Sequence, residues 1–342
     1  LHLEMRFLLV LLLLNGLPVL VLVLLDNYRM IKTPFLISII ALLASCTIID
    51  TETDSAMSHS YPKEIHLSAE VQRTITQSRA AIGENAPFSA TILGWETTSD
   101  ATTYSDASPS WSTDTKESII ASPTKGSAVV LKNEQYYLAD GGKTFMKAFS
   151  PIGKVTGQLY TFGKIEADGS TDVLVSNEIF GTKSSAAPSL AFSHALTQLT
   201  FYIQKGESIP EDDMDDVRVI QLNGIQLPVG FDLKSRTLTV SETQNLYALN
   251  ATAGNGVPIP KDKAVRAGGS VMIAPITGDA ELSLTVVTNH GELNVSKVTS
   301  TTGNEFRAGI SYDITLTFMR KEISSSATVT NWIKGEGGAT VE

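Results

Sequence analysis

Residues 64–71 read EIHLSAEV, and this stretch indicates most clearly how the chain folds. Apolar side chains stand at Ile65, Leu67, Ala69 and Val71, and the intervening positions are polar. Strict alternation is typical of a strand with one buried face and one face in solvent. The stretch therefore predicts a half-buried β-strand.

Alternating or short apolar runs recur downstream, separated by turn residues such as Asn223-Gly224 and His290-Gly291. Further strands are predicted at Ala128–Leu131, Gln135–Leu138, Phe145–Phe149, Leu159–Phe162, Val173–Val175, Leu190–Ile203, Val217–Leu222, Thr237–Val240, Val271–Ile276, Leu282–Val287, Glu292–Val298, Tyr312–Phe318 and Thr328–Ile333. Long helical periodicity is missing after Cys46, so the predicted fold class is all-β.

The Ser-, Pro- and Ala-rich stretch GTKSSAAPS, residues 181–189, predicts a domain junction. A chain of 342 residues corresponds to roughly two domains. We therefore expect an N-terminal β-sandwich domain over residues 63–185 and a C-terminal one over residues 186–342.

Two apolar segments precede these domains. The segment starting at Met30 carries Lys32 followed by an apolar core, and it predicts a signal peptide over residues 30–45. Residues 1–29 add another apolar run, Phe7–Leu25, which that signal does not require. We interpret residues 1–29 as an over-extended reading frame; a genuine membrane helix is the alternative.

The only cysteine, Cys46, ends the sequence Leu-Ala-Ser-Cys at the apolar-to-polar boundary, and this sequence resembles a bacterial lipobox. We predict that Cys46 is lipidated, by acyl chains such as palmitate, and becomes the mature N-terminus. A plain transmembrane anchor with an incidental cysteine is the alternative. Residues 46–62 follow as a flexible tether. These features predict an exported, lipidated protein at the cell surface; the resemblance described below implies that it is anchored in the outer membrane.

Composition argues against several function classes. The net charge of −10 argues against a basic surface that binds nucleic acid. One cysteine cannot form a disulfide or a thiolate metal site, and no nucleophile elbow, phosphate-binding loop or paired metal-ligand histidines stand in the sequence. We therefore predict no enzyme activity, no cofactor and no metal.

Three remaining features receive structural interpretations. His194 lies in an apolar strand, so it is predicted to be a buried, hydrogen-bonded histidine rather than a catalytic one. The acidic run Glu211–Asp216 is interpreted as a solvated loop because it lacks the residue order of a calcium loop. Trp95, Trp111 and Trp332 are too scattered to predict a sugar-binding platform.

Taken together, the segments resemble the fimbrillin family, the lipoprotein pilins of Bacteroidales-type bacteria. The resemblance rests on Cys46, on the strand EIHLSAEV followed by QRTITQSRA, and on LAFSHALTQLTFYI at 190–203. It also rests on the closing sequence around Gly309, Tyr312 and Trp332. It covers roughly residues 30–342.

The resemblance implies two transthyretin-like β-sandwich domains and assembly of a pilus by strand exchange. Ile65–Val71 would be the removable strand, and an arginine-specific protease would cut at Arg73 or Arg79. The segment Ile323–Glu342 would be the donor, with Val329 and Ile333 as candidate plugs. The implied partners are other pilin subunits, the outer membrane through the lipid anchor, and a host glycan or protein in adhesion. A non-polymerising surface lipoprotein that binds a glycan or host ligand is the alternative function.

Overall fold

The computed structural model describes residues 7–14, 17–24, 62–71, 82, 86–104, 108–120, 126–207, 216–251, 255–278, 280–300, 305–319 and 323–331. The chain divides into two compact units, Leu1–His59 and Ser60–Glu342.

The described part of the first unit is a hairpin. Its strands are β1 (Phe7–Leu14) and β2 (Leu17–Leu24), which pair antiparallel with Leu14 opposite Leu17. The apolar run therefore takes strand form here, not the helix that was its alternative interpretation. No helix in the described residues is long and apolar enough to cross a membrane.

The second unit is also built from strands. In chain order these are β3 (Leu67–Val71), β4 (Thr91–Thr97), β5 (Trp111–Asp114), β6 (Ser127–Val129), β7 (Lys143–Ser150), β8 (Gly153–Thr156), β9 (Leu159–Phe162), β10 (Leu174–Ser176), β11 (Ile179–Gly181), β12 (Leu190–His194), β13 (Thr197–Lys205), β14 (Asp216–Ile225), β15 (Pro228–Asp232), β16 (Thr237–Val240), β17 (Gln244–Asn250), β18 (Val257–Pro258), β19 (Val265–Arg266), β20 (Val271–Ile273), β21 (Leu282–Thr288), β22 (Gly291–Val298), β23 (Ile310–Phe318) and β24 (Ile323–Asn331). The all-β prediction is confirmed.

The earlier strands form an eight-stranded sheet that closes on itself. The strand order is β5-β4-β7-β10-β12-β3-β6, and β11 also pairs with β7. The two ends of this order meet where Thr115, next to β5, bridges Leu131, beyond β6. Lys116 and Lys132 donate backbone hydrogen bonds of 2.8 Å across the same junction. The sheet is therefore a barrel, and one apolar core fills it.

The later strands form a β-sandwich. One five-stranded sheet has the order β19-β13-β23-β24, with β20 also on β13, and the other has the order β17-β14-β21-β22, with β18 also on β14. Fully buried side chains from both sheets, such as Phe201 and Leu316 from the first and Leu222 and Leu284 from the second, share one core. Burial of this apolar area is the main stabilising term of the sandwich.

A four-stranded sheet with the order β16-β15-β9-β8 joins the barrel segment to the sandwich segment. The β8–β9 hairpin follows β7 in the chain, whereas the β15–β16 hairpin follows β14. The two hairpins meet at Phe231, which lies opposite Tyr160 in the antiparallel pair of β15 and β9. A third apolar cluster, with residues from both segments, packs under this sheet.

Two strand predictions are wrong. Gln135–Leu138 is not a regular strand, and its Tyr136 forms only an isolated bridge with Glu64. The second is wrong in its extent. Leu190–Ile203 was expected to be a single strand, but β12 ends at His194 and β13 begins at Thr197. The break changes the partner, since β12 pairs with β3 and β10 in the barrel and β13 pairs with β23 in the sandwich. The division of the chain into residues 63–185 and 186–342 stays a prediction.

Candidate functional site

The candidate site is the strand β3 together with the chain on either side of it. β3 lies inside the barrel wall, parallel to β12 and antiparallel to β6. Ala69 is the residue that both neighbours share, since it lies opposite Leu190 on one side and Ser127 on the other. Each ladder covers three residue pairs, so β3 is held by short ladders along both edges.

The inward face of β3 and of the residues just before it is apolar and buried. Ile65, Leu67, Ala69 and Val71 are each at most 5% exposed, and all four belong to the barrel core. Burying an aliphatic side chain of this size contributes roughly 1.5–3 kcal/mol. Packing of alternate side chains is therefore the largest single contribution that holds β3 in place.

The outward face of β3 is polar. The His66 side chain is 82% exposed, with its Nε2 atom 3.8 Å from Glu64. Ser68 Oγ lies 2.6 Å from Ser189 Oγ, which connects β3 to the residue preceding β12. The alternation of apolar and polar residues in the sequence therefore matches the alternation of buried and more exposed side chains in the structure.

The chain upstream of β3 continues the pairing, although it is not part of the regular strand. The backbone N–H of Ile65 donates to Gln135 at 2.8 Å, and the N–H of Tyr137 donates back to Lys63 at 3.0 Å. The predicted removable strand, Ile65–Val71, thus begins two residues before β3 itself.

A cleft of about 400 Å³ opens beside this upstream part. It lies where the chain after β6 leaves β3 and crosses to β5 to close the barrel. Charged side chains line its rim, and they are Glu64, His66, Lys116, Lys132 and Glu134.

Downstream of β3, the chain next enters the described structure at Ile82. Ile82 packs against the barrel core, and its backbone N–H donates to Asp172 Oδ2 at 2.9 Å. The same oxygen lies 2.7 Å from His194 Nδ1. His194 is therefore buried and hydrogen-bonded, as predicted.

Asp172 is the residue of this site that the sequence analysis missed. Its side chain is only 1% exposed, although it stands in the polar stretch before β10. A single aspartate in a loop carries no local signal of burial. Only the pairing of β10 with β12, which places Leu174 opposite His194, brings the two side chains together.

The predicted donor segment begins with β24, an edge strand of the sandwich. β24 pairs antiparallel with β23 along nine residues, and Val329 lies opposite Tyr312. Ser325 Oγ also donates to the carbonyl of Lys297 on β22 at 3.3 Å. The remaining predicted site residues, namely Cys46, Arg73, Arg79 and Ile333, lie outside the described residues.

The side chains set aside in the sequence analysis take structural positions where they are described. Trp95 is buried and stacks on Tyr104, with ring centroids 4.1 Å apart. Asp216, the described end of the acidic run, faces Arg218. In the described part of the chain no group of three or more His, Cys, Asp or Glu side chains is placed to hold a metal ion.

Burial shifts two titratable groups around the barrel. It raises the pKa of the Tyr137 phenol, whose oxygen accepts a hydrogen bond from the backbone N–H of Ala187 at 2.9 Å. It lowers the pKa of Lys147, which lies over the ring of Phe231.

The comparison with protein families gives one match. A sequence profile described as fimbrillin-like matches residues 73–332. No curated protein sequence matches the chain significantly.

Two solved structures share the fold, and a third matches with a lower TM-score. A candidate cell adhesion protein from Bacteroides uniformis ATCC 8492 is 15% identical, with 78% of this chain and 99% of that chain covered and a TM-score of 0.51. Another from Parabacteroides distasonis ATCC 8503 is 8% identical, with coverage of 81% and 99% and the same TM-score of 0.51. A fimbrial protein from Bacteroides vulgatus ATCC 8482 is 13% identical, with coverage of 78% and 99% and a TM-score of 0.45.

Proposed function

The chain belongs to the fimbrillin-like family, and from that premise we propose that it is a subunit of a cell-surface fimbria that supports adhesion. Neighbouring subunits would be joined by strand exchange, in which β3 leaves the barrel and a strand of another subunit takes its place. Cell adhesion proteins among the structures of similar fold are in keeping with this role.

The observation that carries the proposal is the position of β3 between two strands. If β3 leaves, both β6 and β12 acquire an unpaired edge, and the core acquires a groove where four apolar side chains were buried. Unpaired strand edges are templates for another strand. An incoming strand with apolar residues at alternate positions would restore both ladders and refill the groove.

Release of β3 requires a break in the chain after Val71. We propose that an arginine-specific protease makes this break at Arg73 or Arg79, between β3 and the next described residue, Ile82. Before the break, β3 is covalently tied to the barrel on its downstream side. After the break, it is held by the two short ladders, the apolar face, the Ser68–Ser189 contact and the upstream hydrogen bonds, with no covalent tie on its downstream side.

The donor would come from the C-terminal segment, Ile323–Glu342, with Val329 and Ile333 as plugs. β24 suits this role because it is an edge strand, bonded along one side to β23. Departure of an edge strand exposes one strand edge, whereas departure of an internal strand such as β14 would expose two.

A lipid on Cys46 would tether the subunit to the outer membrane before assembly. We expect the Cys46→Ala variant to be lost from the membrane fraction. Retention of this variant in the membrane fraction would contradict the lipid anchor and would point to residues 7–25 instead.

The central test treats residues 47–342 with an arginine-specific protease and looks for ladders that resist SDS. We expect cleavage at Arg73 or Arg79, located by mass spectrometry, followed by oligomers. The variant Arg73→Lys/Arg79→Lys keeps both charges and should neither be cut there nor form ladders. Arg218→Lys, a strand residue outside the cleavage segment, is the matched control and should behave as the unmodified chain.

A second comparison tests the donor. Val329→Asp should shorten the ladders, because a carboxylate cannot enter an apolar groove without a partner. Ser326→Asp, at the opposite parity of the same strand, is the control. If cleavage occurs and no oligomer forms, the hypothesis of a polymerising pilus subunit is excluded. A non-polymerising surface lipoprotein is then the better hypothesis.

A further inference from the structure

A buried carboxylate sits where β12, β10 and the chain after β3 meet. Asp172 Oδ2 lies 2.7 Å from His194 Nδ1 and 2.9 Å from the backbone nitrogen of Ile82. The side chains of Asp172 and His194 are 1% and 3% exposed. A carboxylate without water is costly unless it is paired and hydrogen-bonded. Both partners meet Oδ2, whereas Oδ1 is buried with no hydrogen-bond partner among the described residues, so the two bonds to Oδ2 are what offsets the burial of this carboxylate.

The carboxylate is held on a rigid base. Asp172 immediately precedes Val173 and β10, and His194 is the last residue of β12. Leu174 lies opposite His194 in the antiparallel pair of these strands, and the backbone N–H of Ala195 donates to Val173 at 2.8 Å. Both side chains are thus positioned by strands that remain in the barrel if β3 leaves.

Ile82, in contrast, is on the far side of the predicted cleavage segment from β3. Its side chain packs on the barrel core, and its N–H points to Asp172. Among the described residues, the next backbone hydrogen bonds of this chain are at Phe88, which exchanges bonds of 3.0 and 2.7 Å with Ile119. The chain is therefore held at Ile82 before it joins the sheet.

We propose that Asp172, oriented by His194, is an anchor that fixes the chain at Ile82 and confines detachment to β3. When the segment between Val71 and Ile82 opens, fraying from the cut end stops at Ile82 and does not reach Phe88 and β4. Asp172 is a positioning residue in this sense. The use of the anchor in assembly rests on the proposed strand exchange, but the anchor itself exists in the uncut chain.

The test is hydrogen exchange of the uncut chain, residues 47–342, resolved to single amides. The Ile82 amide should exchange slowly in the unmodified protein. Asp172→Ala should accelerate exchange at Ile82 by about tenfold or more, the effect expected for a lost hydrogen bond to a charged acceptor. Amides of β13 and β23, in the sandwich, should keep their rates.

The matched control is Asp168→Ala. Asp168 Oδ1 accepts a hydrogen bond from the backbone N–H of Ser170 at 2.9 Å in an exposed turn of the same loop. This control removes an aspartate and one backbone hydrogen bond without touching the anchor, and the Ile82 rate should not change.

Two results would overturn the anchor. One is rapid exchange of the Ile82 amide in the unmodified chain, which requires no variant and so remains decisive if Asp172→Ala fails to fold. The other is equal acceleration in the barrel and the sandwich of Asp172→Ala, which would mean that Asp172 stabilises the whole fold and has no local role.

Cleaved protein separates this inference from the proposed function. After a cut before Ile82, the Ile82 amide should stay protected in the unmodified chain and lose protection in Asp172→Ala. If no ladder forms but these rates differ as expected, strand exchange fails and the anchor stands. If ladders form and the rates do not differ, the anchor fails and strand exchange stands.

Discussion

The ring of Phe231 lies 5.1 Å from the ring of Phe149, centroid to centroid, although the first residue is in β15 and the second in the barrel strand β7. Phe149 also stacks on Tyr160, with centroids 4.5 Å apart. Tyr160 in turn lies opposite Phe231 in the shared four-stranded sheet. Three aromatic side chains thus connect the barrel to the sandwich, and we expect the two parts to unfold together.

Replacing Phe231 with Ala should uncouple them. Phe231 is 7% exposed, and truncating a buried phenylalanine costs about 3–5 kcal/mol. Calorimetry should record one transition for the unmodified chain and two for the variant, since the lost contacts are those between the parts. Val229→Ala, at a 41% exposed position of the same strand, is the control and should shift the transition little. Two transitions in the unmodified chain would contradict this coupling.

The shared sheet illustrates what local sequence patterns can and cannot predict. β9 and β16 have the bounds predicted from alternation, Leu159–Phe162 and Thr237–Val240. β15 was not predicted, because Pro228 and Gly230 interrupt its apolar pattern. That β9 pairs with β15 follows from tertiary packing, which no local period encodes.

Two further differences have the same origin. β4 was missed because its first five residues, Thr91–Trp95, are all buried, so the alternation of a half-buried strand is lost. The run Leu190–Ile203 was predicted as one strand because its apolar character continues through Ala195 and Leu196. The change of partner there depends on β3 and β23, which are distant in sequence.

At the candidate site, the inward face of β3 was predictable and should be sensitive to charge. Ala69 is fully buried, so Ala69→Asp would place an unpaired carboxylate in the barrel core at a cost of about 3 kcal/mol or more. At roughly 2.1 cal/mol/K of unfolding entropy per residue, that corresponds to a fall in Tm of about 4 °C or more. Thermal unfolding followed by circular dichroism measures it.

The control for this substitution is the residue immediately before β3, whose side chain is exposed. His66→Asp introduces the same carboxylate at an exposed side chain, where charge interactions contribute less than about 1 kcal/mol. Equal losses of Tm in the two variants would mean that β3 does not pack as the burial pattern indicates.

The indole ring of Trp111 leaves no room for a side chain at Gly94. The two residues lie opposite each other in β4 and β5, and a Cβ at Gly94 would overlap the indole ring. Gly94→Ala should therefore displace the ring, lower the unfolding free energy by about 1–3 kcal/mol and shift the tryptophan emission.

Gly126→Ala is the matched control for that substitution. Its Cβ would meet Ser68 at 3.5 Å, an ordinary contact distance. A glycine that accepts a methyl group without strain stabilises on replacement by about 0.4–1 kcal/mol. The prediction for Gly94 fails if Gly94→Ala keeps the emission maximum and the stability of the unmodified chain.

The same aromatic cluster sets an upper pH limit for the fold. Tyr160 is fully buried, its hydroxyl donates to the carbonyl of Pro151 at 2.9 Å, and burial raises its pKa well above the usual range. Burial raises the pKa of Tyr137 in the same direction. Above a pH of about 10, the pKa of an unfolded tyrosine, the folded chain therefore holds more protons than the unfolded chain. The unfolding free energy must then decrease as pH rises.

Tyr160→Phe should remove part of this decrease. At pH 8 the variant should be less stable by about 1 kcal/mol because the hydrogen bond to Pro151 is lost. Between about pH 10 and 11.5 its stability should fall less steeply than that of the unmodified chain, since one phenol that ionises only on unfolding is gone. Urea titrations at several pH values, followed by circular dichroism, give both quantities.

Tyr247→Phe, at a 47% exposed position, is the control and should retain the full alkaline slope. Parallel slopes for the unmodified chain and Tyr160→Phe would show that Tyr160 ionises as readily in the fold as out of it, contrary to its burial beneath the shared sheet.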